Sequence, residues 1–140
     1  MREILFKAKR KDNGEWVEGN YGFFKSVNGN EKMHHITTES GKAIRIDPTT
    51  LCQFTGLTDK NGKKIFENDI IQTNGCLTWL IAYDKNAFVC KDSSMETYFA
   101  LFEQWGYDWK NKEDISPSDT FEVIGNIYDD PELLGGKHEK

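Results

Sequence analysis

The side chains able to do chemistry are few, and their spacing does not fit a metal or redox site. His34 and His35 are adjacent, and neighbouring residues of a strand point to opposite faces, so the two cannot bind one ion together. His138 lies close to the C-terminus. The three cysteines are widely separated and form no C-x-x-C pair, which argues against a disulfide framework and a zinc site. We therefore predict no metal site and no cofactor.

The cysteines Cys52, Cys76 and Cys90 each have apolar neighbours in the sequence. Free cysteines in such surroundings behave as small hydrophobic residues. We expect buried, reduced thiols with no catalytic role.

One pair of carboxylates has a spacing that chemistry can use. Glu67 and Asp69 are two apart, and on a strand they share a face, so they could converge on a cation or a substrate. Such pairs are more often part of a solvated turn. The sequence contains no G-x-S-x-G and no phosphate-binding glycine motif, both of which would have indicated a reaction class. An enzyme using Glu67 and Asp69 is therefore our third hypothesis.

Basic residues cluster in two places, and aromatic residues follow the first. The first cluster is Lys7, Lys9, Arg10 and Lys11. The second cluster is Lys60, Lys63 and Lys64. The aromatic residues after the first cluster are Trp16, Tyr21 and Phe23. Small β proteins bind single-stranded nucleic acid with such a combination of basic grooves and stacking platforms, and this is our second hypothesis.

The charge distribution limits that hypothesis. The net charge is −5, with 12 basic and 10 acidic residues in residues 1–70 but 6 basic and 13 acidic residues in residues 71–140. An acidic excess repels polyphosphate, so the C-terminal half is not expected to contact nucleic acid. Lysines at turns also commonly serve only for solubility.

A third group of side chains could form a contact surface with another protein. Trp105, Tyr107 and Trp109 lie close together in the sequence, and Trp and Tyr dominate the energetics of protein interfaces. The same residues could instead cover the core.

These residues must be positioned by a hairpin-rich sheet. Asn-Gly pairs begin at Asn13, Asn28, Asn61 and Asn74, and Asn-Gly favours the type I′ turn of a two-residue hairpin. Short apolar runs flank the pairs, and the run from Ile4 to Lys9 alternates with the period of a strand. Asp47-Pro48 ends another such run.

Residues 91–120 are harder to assign. Ser93, Ser94 and Glu96 fit the start of a helix, which would place Met95, Phe99, Phe102 and Trp105 on one face. The stretch also contains the β-favouring Thr97 and Tyr98. We favour a short helix here, and we expect a loop over residues 110–119.

Three stretches together resemble the YopX family of phage and prophage proteins. They are REILFKA with EWVEG (residues 2–8 and 15–19), IDPTTLCQFTGLTDKNGKKIFENDII (residues 46–71) and VIGNIYDDPELL (residues 123–134). The family often has Gly at the position of Asn68. The resemblance implies a mainly β fold with a small barrel-like core and a phage or prophage genome of Gram-positive bacteria. It implies no activity and no catalytic residues.

We therefore predict a mainly β fold: a hairpin-rich, curled antiparallel sheet with an SH3-like barrel core and at most one or two short helices. Residues 1–134 should form one domain, with possible sub-parts 1–60 and 61–134, followed by a flexible tail at 135–140. With no apolar stretch long enough to span a bilayer, we expect a cytoplasmic protein without a membrane partner.

The preferred function is a non-catalytic accessory protein that binds a macromolecular partner, either protein or nucleic acid. Hairpin-rich proteins can also pair through exposed sheet edges, so a homo-oligomer is compatible with this reading.

Overall fold

The computed structural model of the chain describes residues 4–73, 77–84, 86–92, 97–100, 106–108, 113–115 and 120–135. The chain forms two compact units, residues 1–54 (unit 1) and residues 55–140 (unit 2). The boundary falls inside one strand, β5 (Cys52–Thr58).

Unit 1 contains an antiparallel meander with a small core. Its elements are β1 (Phe6–Lys9), β2 (Trp16–Lys25), β3 (Lys32–Thr37), β4 (Ala43–Arg45), a 3-10 turn (Pro48–Thr50) and the start of β5. The strands lie in the order β4-β3-β2-β1-β5. The buried residues Ala8, Ile36 and Ile46 form the centre of the core, and Phe6, Val17, Tyr21 and Leu51 pack around them.

Unit 2 contains a larger core under a second sheet. Its elements are β6 (Lys64–Phe66), β7 (Asp69–Thr73), β8 (Leu77–Asp84), β9 (Ala87–Lys91), β10 (Thr97–Ala100), β11 (Gly106–Asp108), β12 (Glu113–Ile115), β13 (Phe121–Asn126) and a short helix α1 (Glu132–Gly135). Five strands lie in the order β10-β9-β8-β7-β13, and β11 pairs with β12. The buried core residues are Ile65, Ile71, Trp79, Ile81, Phe88, Cys90 and Phe121.

The predicted fold class is confirmed: the chain is mainly β and its sheets are antiparallel. The SH3-like barrel core and the single domain over residues 1–134 stay predictions. The described part of the chain has no helix that is long and apolar enough to cross a membrane.

The hairpins lie where the Asn-Gly pairs predict them, but the turn type is wrong. A type I′ turn needs positive φ at both central residues, yet only the glycines have it, as at Gly29 (φ 74°) and Gly62 (φ 82°). Both glycine N–H groups instead donate to the carbonyl three residues earlier, on Ser26 (2.8 Å) and Asp59 (3.0 Å). These are the longer loops that place a left-handed glycine at the end of an ordinary turn. The pair at Asn74 lies outside the described residues.

The helix predicted in this stretch is wrong over residues 97–100, which form β10 and pair with β9, while residues 93–96 and 101–105 lie outside the described residues. The β-favouring residues of this stretch meet a strand edge with open hydrogen-bonding groups, and pairing with that edge outweighs a helical pattern of apolar residues. The loop predicted over residues 110–119 contains β12, which pairs with β11. A short polar strand of this kind leaves no apolar periodicity in the sequence.

The side chains of Cys52 and Cys90 are buried, as predicted, and the Cys52 thiol donates a hydrogen bond to the carbonyl of Thr50 (3.2 Å), while Cys76 lies outside the described residues. Burial raises the pKa of the Cys90 thiol to about 12. The thiolate, which is the reactive form, is therefore suppressed at neutral pH.

Candidate functional site

The lysines Lys60, Lys63 and Lys64 surround the turn between β5 and β6 in unit 2. Lys60 and Lys63 are exposed, and Lys64 is partly buried. The Lys60 ammonium lies 3.7 Å from the Glu122 carboxylate. Unit 2 carries nine basic and sixteen acidic residues, so these lysines lie in an acidic part of the chain that repels polyanions.

The turn carrying these lysines is built on one buried carboxylate. Asp59 is only 2% exposed. Its Oδ1 accepts hydrogen bonds from the N–H groups of Asn61 (2.8 Å) and Lys63 (2.9 Å), and its Oδ2 accepts one from the N–H of Val123 (2.9 Å). A buried carboxylate needs such donors to offset its desolvation. Asp59 therefore fixes the β5–β6 turn against β13.

The pair Glu67 and Asp69 does not share a strand as the sequence suggested. Glu67 lies in the turn before β7, whereas Asp69 is the first residue of β7 and is 2% exposed. Asp69 Oδ2 accepts a hydrogen bond from the N–H of Phe66 (2.8 Å). The Asp69 carboxylate therefore has a structural role, because this hydrogen bond stabilises the β6–β7 turn.

Asn68, between these two residues, has a left-handed backbone (φ 72°). Its N–H donates to the carbonyl of Ile81 (2.6 Å), and its Nδ2 donates to the Tyr128 hydroxyl (2.9 Å). Gly and Asn tolerate this conformation better than other residues. Asn68 therefore meets a backbone requirement that a glycine at this position would also meet.

The C-terminal signature stretch is organised by a similar polar contact. Asn126 is 9% exposed, and its Oδ1 accepts hydrogen bonds from the N–H groups of Tyr128 and Asp129, each 2.9 Å long. These bonds make the turn that follows β13. The polar residues Asp59, Asp69 and Asn126 of the signature stretches thus all serve to shape turns.

The predicted contact residues Trp105 and Trp109 lie outside the described residues. Tyr107 lies in β11.

The β2–β3 hairpin of unit 1 exposes apolar side chains that the turn pattern did not identify. Six large apolar side chains in the described part of the chain are exposed, and Phe23 (47%), Phe24 (53%) and Val27 (109%) lie in this hairpin. Phe23 and Phe24 are neighbours, so they project from opposite faces of the strand. The hairpin therefore offers apolar surface on both sides.

Histidines hold the two phenylalanine rings in place. The ring centroids of Phe24 and His35 are 5.4 Å apart, and those of Phe23 and His34 are 6.0 Å apart. His34 Nδ1 is 2.7 Å from the hydroxyl oxygen of Tyr21. The two histidines thus point to opposite faces, as predicted, and each supports an aromatic ring.

The two strands β1 and β2 bring cations to an aromatic ring. The Nζ atoms of Lys7 and Lys9 lie 4.7 Å and 5.6 Å from the ring centroid of Trp16. The register places Lys9 opposite Trp16, and residues two apart on a strand share a face, so Lys7 reaches the same ring. Such contacts are cation–π interactions.

Two neighbouring pockets of unit 1 are lined by cations. A pocket of about 380 Å³ is lined by Arg10, Lys11, Asp12, Lys42, Ala43, Ile44 and Arg45. A second pocket of about 470 Å³ is lined by Lys9, Arg10, Lys11, Gly14, Asp47 and Pro48. Because Arg10 and Lys11 line both pockets, we treat the two as one feature, the basic groove.

The two acidic residues of the basic groove form hydrogen bonds with residues two positions away in the sequence. The Arg10 guanidinium contacts both Asp12 carboxylate oxygens at 3.0 Å. This hydrogen bonding lowers the pKa of Asp12 and raises that of Arg10. Asp47 Oδ1 accepts hydrogen bonds from the Thr49 hydroxyl (2.7 Å) and N–H (3.0 Å), which lower the pKa of Asp47. Both carboxylates are therefore ionised at neutral pH.

Comparison with known proteins identifies a matching family model and a solved structure that is similar to this chain. The family model described as YopX protein matches residues 5–135. A crystal structure of a protein from Enterococcus faecalis matches with a TM-score of 0.52 and 26% sequence identity, covering 96% of this chain and 99% of that one. The comparison with curated proteins finds no match.

Proposed function

Because the chain belongs to the YopX family, we propose that it is a phage- or prophage-encoded accessory protein that works in the bacterial cytoplasm by binding a macromolecular partner. The family resemblance supports the phage origin. The observation that supports binding is the exposed apolar surface of the β2–β3 hairpin in unit 1. Exposed apolar side chains gathered on one element mark interaction sites more often than scattered ones do.

The hairpin has the features of a binding element. Its aromatic rings pack against the tilted rings of His34 and His35, so little side-chain freedom is lost when a partner covers them. Lys32 places its Nζ atom 4.6 Å from the ring centroid of Phe23, which adds a cation next to apolar surface. A mixture of aromatic and cationic groups is typical of the residues that dominate binding energy.

The test compares the hairpin with an apolar surface of unit 2. The double variant Phe23→Ala/Phe24→Ala removes both rings. The control variant Leu77→Ala/Tyr83→Ala removes two side chains of similar exposure, 55% and 51%. Partners are captured from bacterial cells producing the protein, identified by mass spectrometry, and quantified for each variant.

We expect a defined partner to be captured by the wild type and by the control variant, and to be lost with the hairpin variant. Circular dichroism and thermal melts establish that both variants fold. If the hairpin variant keeps every partner of the wild type, or if the wild type captures nothing above background, the proposal is wrong.

Two of the sites predicted from the sequence receive less support from the contacts. The lysines around the β5–β6 turn lie in the acidic unit and Lys60 is near Glu122. The Asp69 carboxylate is buried and caps a turn. Neither arrangement favours the β5–β6 lysines as a nucleic-acid site or the Glu67 and Asp69 pair as an active site.

A further inference from the structure

The sheet of unit 1 has an outer face, which we define as the face opposite the core of that unit. The core residues Ala8 and Val17 are paired across β1 and β2, and the next pair, Lys9 and Trp16, points the other way. The same alternation along β2 puts Gly22 and Phe24 on the outer face. Trp16 and Phe24 are therefore aromatic groups of one face.

The registers of β3 and β4 extend the outer face towards the basic groove. His35 is opposite Gly22 on one side and opposite Arg45 on the other. His35 lies directly over Gly22, since a Cβ at Gly22 would be 3.2 Å from His35 Nε2. Arg45 lines the basic groove. Aromatic rings and cations thus follow one another across this face.

The charge of the basic groove contrasts with the whole protein. Lys9, Arg10, Lys11, Lys42 and Arg45 line the groove together with two carboxylates, Asp12 and Asp47. Five cations and two anions give a local charge of +3, in a chain whose net charge is −5. A concave surface with this excess attracts anions and repels other cations.

The backbone of the groove is fixed before any ligand binds. The N–H of Lys11 donates to the carbonyl of Arg45 (3.0 Å), and the N–H of Asp47 donates to the carbonyl of Lys9 (2.9 Å). Arg10 also forms a β-bridge with Ile46. Three contacts thereby hold two separate segments together, residues 9–11 and residues 45–47, which lowers the ordering cost of binding.

We propose that the basic groove and the outer face of unit 1 bind single-stranded nucleic acid, with phosphates at the groove and bases on Trp16 and Phe24. This inference rests on the proposed function, since it names the partner class for unit 1. Unpaired bases stack on aromatic side chains, whereas bases within a duplex are already stacked. An acidic protein is the alternative ligand. It would bind the cations of the groove, but it would not need two aromatic rings on the same face.

The arrangement of Lys7 and Lys9 at Trp16 favours the same ligand. A phosphodiester bound by these two ammonium groups brings the attached base next to the indole ring. Backbone phosphates and bases alternate along a single strand, and the outer face offers cations and rings in the same alternation. Recognition of this kind depends on charge and stacking, so we expect little sequence preference.

The test is a titration of the intact protein against a fluorescently labelled thymidine oligonucleotide of about 20 nucleotides, followed by anisotropy, with a duplex of equal length as competitor. The charge-reversal variant is Lys42→Glu/Arg45→Glu in the groove. Its matched control is Lys60→Glu/Lys63→Glu in unit 2, where both lysines are also exposed. A third variant, Phe24→Ala, removes one platform.

We expect the groove variant to lower affinity at least about tenfold, and the wild-type affinity to fall steeply with salt. Phe24→Ala should lower affinity about tenfold, in line with the loss of one stacked base. The unit 2 control should bind like the wild type, and the duplex should compete poorly.

The inference is overturned if no oligonucleotide binds at about 20 mM salt, if both charge reversals weaken binding equally, or if the duplex competes as well as the single strand. If oligonucleotides fail while a protein captured through the β2–β3 hairpin persists, only this inference is wrong. If both the oligonucleotides and the hairpin capture fail, the proposed function is wrong as well.

Discussion

Unit 1 and unit 2 use their polar and aromatic residues in opposite ways. Of the buried polar side chains in the described residues, Thr50 belongs to unit 1, and Thr55, Asp59, Asp69, Thr73 and Asn126 belong to unit 2. Unit 2 also has the larger apolar core. Unit 1 has nine basic and seven acidic residues, for a net charge of +2, whereas unit 2 has a net charge of −7.

The difference separates residues that specify the fold from residues available for binding. A buried polar group must have its hydrogen bonds satisfied, so it tolerates one local structure only. An exposed ring or cation has no such requirement and can meet a ligand. The signature residues Asp59 and Asn68 therefore explain turns of unit 2, while the binding that we propose involves the surface of unit 1.

The largest effect is expected for Gly19→Ala in unit 1. A Cβ at Gly19 would collide with the carbonyl oxygen of Thr37 and would lie 2.9 Å from Ile36 Cγ2. Backbone cannot give way as a flexible side chain can, so β2 and β3 would have to separate. We expect a loss of more than about 4 kcal/mol in unfolding free energy, measured by urea denaturation.

The control for this change is Gly29→Ala, where nothing lies within 4 Å of the new Cβ. Its positive φ should cost only about 1 kcal/mol. Equal losses for the two variants would mean that β2 and β3 do not approach as closely as the register indicates.

Asp59→Ala tests the claim that buried polar groups hold unit 2. The change removes the acceptor of three backbone N–H groups, and leaves them without partners. We expect a loss of about 3 kcal/mol and faster hydrogen exchange at the β5–β6 turn and β13. Asp12→Ala is the control, because its carboxylate is 65% exposed. A similar loss of unfolding free energy for Asp12→Ala would contradict the claim that buried polar groups distinguish unit 2 from unit 1.

Substitutions of Asn68 in unit 2 are expected to have a smaller effect on stability. Asn68→Ala should destabilise the protein by about 1–2 kcal/mol, since alanine disfavours the left-handed backbone and cannot donate to Tyr128. Asn68→Gly should lose less, and Tyr128→Phe isolates the side-chain hydrogen bond. Thermal denaturation of the three variants provides the ranking, and a glycine variant weaker than the alanine variant would contradict the backbone explanation.

The smallest effect on stability is expected for Phe24→Ala in unit 1. The ring is 53% exposed, so its removal should change the unfolding free energy by no more than about 0.5 kcal/mol. Denaturant titration measures this change. A loss greater than about 1 kcal/mol would show that the ring stabilises the hairpin and would weaken its assignment to binding.

The sequence predicted most strands and hairpins and part of the surface that we consider functional, namely Lys9, Arg10, Lys11 and Trp16. The alternation in Ile4 to Lys9 and the Asn-Gly pairs predicted β1 and the first hairpins, because strand period and turn chemistry are local properties. Lys42 and Arg45 were not identified, since they reach the groove of Arg10 only through the pairing of β3 with β4. Phe24 was missed because its exposure depends on which face of β2 meets the core.

The sequence by itself determined the fold class, the family and the positions of the turns, because each of these follows from residue types at short range. Tertiary structure decided which polar residues are buried and which basic residues share a groove. The physical reason is that strand pairing joins residues far apart in the chain, as when Val123 donates its N–H to Asp59. No local pattern shows whether a carboxylate will be exposed to water or will accept hydrogen bonds from several backbone N–H groups.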